Sequence, residues 1–79
     1  MSVSFERLRE IIAEQFLINI EYITMDTSFV DDLGADSLDA VDLIMRIEDE
    51  YNLPEVDEDT VVQLYTVGDA YRFLANIFD

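Results

Sequence analysis

A single serine, Ser37, stands among the carboxylates of Asp31, Asp32, Asp36 and Asp39 in the stretch DDLGADSLDAV. A serine hydroxyl at a helix start can cap the helix, attack a substrate with the help of a base, or serve as an attachment oxygen. The chain contains no histidine, which removes Ser-His-Asp catalysis. It also contains no cysteine, so neither a thiolate nucleophile nor a disulfide frame is available. Capping remains, but Asp36 is the better cap. The Ser37 hydroxyl then sits in a first turn where unpaired N–H groups and the positive dipole end favour an anion. A phosphate ester there would be well placed, although the neighbouring acids repel phosphate and composition alone does not choose. Besides a first-turn hydroxyl, the remaining role is that of an attachment point.

The carboxylates raise two rival chemistries. As a divalent-cation or charge-mimicking module, the chain would use Asp31, Asp32, Asp36 and Asp39. Their spacing does not give the alternating oxygen ligands, central glycine and distal glutamate of an EF-hand loop. As an enzyme with paired carboxylates such as Asp32 and Asp36, it would need a cleft that a bundle this small hardly provides.

The elements that position these groups are helices. Ser4 can cap a first helix whose Phe5, Leu8, Ile11, Ile12 and Phe16 recur at helical spacing. A stretch without sustained period, LINIEYITMDTSFVDDLGA, reads as a long ordered loop or as a loop hiding a short helix. Asp36 caps a second helix to about Tyr51, with Asp39 completing a capping box and Pro54 marking the stop. Asp57 or Asp59 starts a short third helix through TVVQLY. Thr66 caps a fourth, with Asp69 three residues on and Ala70, Tyr71, Leu74, Ile77 and Phe78 on its apolar face. The expected fold is all-α: a small four-helix bundle of three longer helices and one short one, forming a single domain over residues 1–79.

At roughly 100° per residue, Ala40, Leu43, Ile44, Ile47 and Tyr51 form the core stripe of the second helix. Leu38, Val41 and Met45 lie roughly 120° or more away, bordered by Asp39, Asp42, Glu48 and Asp49. Either this helix is buried on two sides, or the second group is a docking face of apolar anchors in a charged rim. The two alternatives predict opposite exposure for the same three residues. Met45 suits a surface that adapts to several partners.

The 79 residues carry 19 acids against four arginines (Arg7, Arg9, Arg46 and Arg72) and a formal net charge of −15. Nucleic acid and anionic membrane are excluded as partners on charge, and basic protein patches are favoured. Self-repulsion predicts a monomer of marginal stability that salt strengthens. Crowding predicts carboxylates that titrate above their ordinary range, so that stability rises from about pH 7.5 to about 6. No apolar run is long enough to span a membrane, and the opening MSVSFERLRE lacks a signal-peptide core, so a cytoplasmic protein is expected.

The stretch FVDDLGADSLDAVDLIMRIEDEY resembles the acyl carrier proteins of fatty acid and polyketide synthesis, in which the serine of an Asp-Ser-Leu motif bears 4′-phosphopantetheine. The match runs from RLREIIAEQF through TVGDAYRFL. The resemblance implies that Ser37 is the attachment serine and that Asp36 and Leu38 complete the motif met by the phosphopantetheinyl transferase. Asp39, Val41, Asp42, Met45, Glu48 and Asp49 then face the acyl-transferring and chain-elongating synthase enzymes. It implies a carrier of thioester-bound acyl groups, not an enzyme, with catalysis left to the partners and no metal. It also implies a pocket for the acyl chain, with Phe29, Ile44, Ile47, Val62, Leu64 and Tyr71 as candidates that double as core. The stretch NLPEVDEDTVVQLYTVGDA departs from the family's common Ile-Pro-Asp-Glu-Asp-Ala-Glu-Lys, lysine is absent throughout, and Arg46 sits beside Met45. Fatty acid, polyketide and specialised lipid pathways therefore stay open.

Overall fold

Each helix begins at a side chain that supplies an acceptor for its first turn. The computed structural model describes residues 3–78, with α1 at Phe5–Phe16, a 3₁₀ turn at Ile20–Tyr22, α2 at Ser37–Tyr51, α3 at Glu58–Val61 and α4 at Val67–Phe78. The Ser4 hydroxyl accepts from the Arg7 N–H at 3.3 Å. Asp36 accepts from the Asp39 N–H at 2.9 Å, and the Asp39 carboxylate accepts in return from the Asp36 N–H, closing the capping box. Asp57 accepts from the Thr60 N–H at 2.8 Å. At α4 the Thr66 hydroxyl and the Asp69 carboxylate exchange the same reciprocal bonds, and Asp69 also accepts from the Tyr65 N–H. These bonds satisfy donors that the helical ladder leaves unpaired.

At two caps the titration runs opposite to the direction expected from crowding. The Thr60 N–H holds the Asp57 carboxyl below its ordinary range, and the Thr66 N–H, with help from Arg72, does the same for Asp69. Where crowding predicted a rise, hydrogen bonding to the charged form lowers both groups.

The core joins Leu8, Ile11 and Ile12 of α1, Leu43 and Ile47 of α2, and Val67, Ala70 and Leu74 of α4, with Ile23, Phe29 and Ala35 from the long loop. The loop thus belongs to the core, and its only helix is the single 3₁₀ turn. Arg9 fastens it. Its guanidinium donates to the Ile23 and Ile20 carbonyls, each at 2.8 Å, while pairing with Glu6 and lying over the Phe5 ring. Buried Thr27 has its hydroxyl satisfied by the Thr24 N–H and the Tyr22 carbonyl. The loop carbonyls of Thr27 and Met25 accept from Val67 and Gly68 at the head of α4, at 2.9 and 2.8 Å. This approach requires glycine: a Cβ on Gly68 would stand 2.8 Å from the Met25 carbonyl oxygen.

Two expectations need correction. The third helix is one turn, Glu58–Val61, and not the whole of TVVQLY, because the Gln63 and Leu64 N–H groups turn back to Thr60 and Val61 in tighter i→i+3 bonds. Ile77 and Phe78 are exposed, because the last turn of α4 runs past the bundle's buried layer. α2 ends at Tyr51 ahead of Pro54, as expected, on a cap made by Asn52 in the left-handed region at φ 55°, with the Asn52 and Leu53 N–H groups both donating to the Glu48 carbonyl.

Candidate functional site: Ser37 and the groove beside it

Ser37 is the first residue of α2 and is exposed. Its position follows from the loop: Ala35 is buried and its N–H donates to the Phe29 carbonyl at 2.8 Å, which fixes the chain just ahead of the cap. Asp36 and Asp39 then complete the cap between themselves. Among the described residues the Ser37 hydroxyl makes no hydrogen bond. It is a free, solvated oxygen at the positive end of a 15-residue helix.

Leu38, Val41 and Met45 are 74%, 50% and 57% exposed. α2 is therefore not buried on two sides, and its second apolar group faces solvent. Of the acids around it, Asp42 and Asp49 are exposed and make no hydrogen bond among the described residues. Asp39 is held by its cap, and Glu48 accepts from the Val56 N–H at 2.7 Å. Arg46 is drawn off this face by an ion pair with Glu14 of α1. A second pair, Arg7 with Glu50, also ties α1 to α2.

A groove of about 960 Å³ opens beside Ser37. Ala40, Leu43, Ile44 and Ile47 of α2 line it, with Val61, Val62 and Leu64 from α3 and the residues after it, and Phe16, Phe29 and Ala70. Five of the six residues expected for a pocket, Phe29, Ile44, Ile47, Val62 and Leu64, are among its lining. Tyr71 is not: its ring packs edge-on against Phe5 at 5.5 Å, in the α1–α4 contact. Helical periodicity placed Tyr71 on the correct face of α4, but not against the correct neighbour. The groove also includes Val30 and Tyr65, which are 66% and 68% exposed and which sequence reasoning did not single out. A valine and a tyrosine flanking turns, with no period to assign them to a core, were the available signal.

The rival chemistries lose their groups to the backbone. Asp32 accepts from the Ser28 N–H at 2.7 Å, and Asp36 and Asp39 serve the α2 cap, so three of the four proposed cation ligands already hold hydrogen-bond donors. Among the described residues no three acidic side chains converge as a metal site. Asp32 and Asp36, the paired-carboxylate alternative, are each committed to a separate turn.

The described residues thus form a small helical bundle with an exposed serine at the head of α2, beside an apolar groove. The chain belongs to the phosphopantetheine attachment site family, whose pattern it matches over residues 6–74. It is a carrier domain of the acyl carrier protein type, and its prosthetic group is covalent 4′-phosphopantetheine. No helix among the described residues is long and apolar enough to cross a membrane.

Proposed function

We propose that Ser37 carries the phosphopantetheine and that the chain transports acyl intermediates as thioesters to enzymes of fatty acid or related lipid and polyketide synthesis. The observation that carries this reading is the Ser37 hydroxyl, exposed and free of hydrogen bonds because Asp36 and Asp39 cap α2 without it. When bound, the arm supplies the thiol that a chain without cysteine lacks. Everything else is done by the chain's own residues. Asp36 and Leu38 present the serine to the phosphopantetheinyl transferase. The α2 head offers N–H dipoles to the phosphodiester.

Leu38, Val41 and Met45, rimmed by Asp39, Asp42, Glu48 and Asp49, form the face that receives basic docking patches of the transferase and the synthase enzymes. Exposed apolar anchors inside a charged rim give such an interface both its adhesion and its fast, salt-sensitive encounter. Asp42 and Asp49 support this most directly, because their carboxylates are not occupied within the fold. The groove beside Ser37 is apolar and of a size that holds an acyl chain, within the roughly 300–1,000 Å³ of small-molecule pockets. Catalysis stays with the partners: the chain has no histidine or cysteine, and the carboxylates proposed for acid–base work are tied to backbone N–H groups. The high negative charge supports a monomer.

The test is the intact mass after incubation with coenzyme A and a broad-specificity phosphopantetheinyl transferase. The wild-type chain gains one phosphopantetheine and Ser37→Ala gains none. A folded wild-type chain that gains nothing, or a variant that still gains it, overturns the assignment.

A further inference from the structure

The wall of the groove formed by α3 is attached to the rest of the protein unusually weakly. α3 has no buried residue. Its hydrogen bonds are local: Thr60 and Val61 donate to Asp57, Val62 to Glu58, Gln63 to Thr60 and Leu64 to Val61. Upstream, the Leu53 N–H closes α2 on the Glu48 carbonyl; downstream, the Tyr65 carbonyl accepts from Phe29 and the Tyr65 N–H donates to Asp69. Between those two anchors, one hydrogen bond among the described residues joins residues 54–64 to the remainder of the chain. It runs from the Val56 N–H to the Glu48 carboxylate at 2.7 Å.

Glu48 is therefore doubly engaged. Its backbone carbonyl receives the two N–H groups that end α2, and its half-buried side chain lines the groove while holding the segment that leads into α3. A charge-assisted bond to a backbone N–H is shorter and stronger than a neutral one, and here it has no parallel bond to share its task. We propose that Glu48 is the latch of the groove: a positioning residue whose carboxylate fixes Val56, and through it the α3 wall that bounds the space beside Ser37. On this view Glu48 differs in role from Asp42 and Asp49 on the same helix, whose charge is available to a partner. Substituting Glu48 alters access to the groove, whereas substituting Asp42 or Asp49 alters only the charge of the docking face. The inference rests on the carrier reading solely in taking the groove as the place of the cargo.

Amide hydrogen exchange on the unmodified chain tests it, so that a failure of the latch and a failure of Ser37 loading are separate results. In Glu48→Ala the Val56 amide and the α3 amides of Thr60, Val61 and Val62 exchange roughly tenfold faster, the loss expected for one hydrogen bond to a charged group. The amides of Leu8, Ile11 and Ile12 in α1 keep their wild-type rates. Glu48→Gln, whose amide oxygen still accepts from the Val56 N–H but without the charge, exchanges at rates between those of wild type and Glu48→Ala. An unchanged Val56 amide in Glu48→Ala overturns the latch. So does a Glu48→Gln variant as fast as Glu48→Ala, which would show that an accepting oxygen at this position does not hold Val56, or an equal acceleration of the α1 amides, which would make it general destabilisation.

Discussion

Residues 17–36 and residues 52–66 both connect long helices, yet the first segment buries Ile23, Thr27, Phe29 and Ala35 while the second buries none of its residues. The first is held by Arg9, by the Thr27 hydroxyl and by two carbonyls that receive the head of α4. The second, between its end anchors, is joined to the rest of the chain by one hydrogen bond among the described residues, that to Glu48. The first connector carries the chain to Ser37 and fixes where α2 begins. The second forms one wall of the groove beside that serine. The difference teaches how a small domain with little core can divide its stability: it fixes the head of α2 through the core and leaves the wall of the adjoining groove tied by few hydrogen bonds.

That contrast can be broken first by side-chain truncation. Ile23 is fully buried, so Ile23→Ala should cost about 2–4 kcal/mol, enough to unfold a marginal domain, whereas Val62→Ala at 64% exposure should stay within about 0.5 kcal/mol. Denaturant titration of the two variants measures this. Equal losses would mean that the second connector is as much a part of the core as the first.

A smaller effect is expected at the junction of the first connector with α4. Gly68→Ala puts a methyl 2.8 Å from the Met25 carbonyl oxygen, a backbone atom that yields only if the loop shifts. A loss of roughly 1–3 kcal/mol follows from such overpacking, readable as a lower melting temperature. If the variant melts like wild type, the loop is not pressed against the α4 head.

The smallest effect concerns acid, and it sharpens the comparison at the two helix heads within and just after the second connector. Asp57 and Asp69 titrate below their ordinary range in the folded chain. A group with a lowered folded pKa stabilises above its unfolded value and loses that contribution as pH falls through the folded one. The caps of α3 and α4 therefore hold at neutral pH and weaken only below about pH 4, where unfolded carboxylates begin to protonate. Asp69→Asn should lower stability at neutral pH and flatten its decline below pH 4. Melting curves that lose stability between about pH 7 and 5 in parallel for both proteins would contradict this assignment.

Much of the frame is legible in the sequence because cap chemistry acts over three residues. Ser4, Asp36 with Asp39, and Thr66 with Asp69 mark three helix starts by local rules alone, while for α3 the same rules leave Asp57 and Asp59 and the structure uses Asp57. The order of the first connector is not legible, since it depends on Arg9 reaching Ile20 and Ile23 and on Gly68 meeting Met25, contacts that no local pattern announces. For the same reason the resemblance put Tyr71 among the pocket residues, although its neighbour is Phe5. At the site, the serine stands out by its motif and by the better cap beside it. The bond from Val56 to Glu48 joins residues eight positions apart across a helix end, and composition marks Glu48 only as one acid among many.

The most direct measurement is to locate the phosphopantetheine on the loaded chain by fragmentation mass spectrometry. Ser4 and Ser28 already accept backbone N–H bonds, from Arg7 and Asp31, while Ser37 accepts none. The group should be found on Ser37 and on no other serine. Its appearance on Ser4 or Ser28, or its absence from a folded chain, would contradict the view that α2 is capped by Asp36 and Asp39 so that Ser37 is left free to carry it.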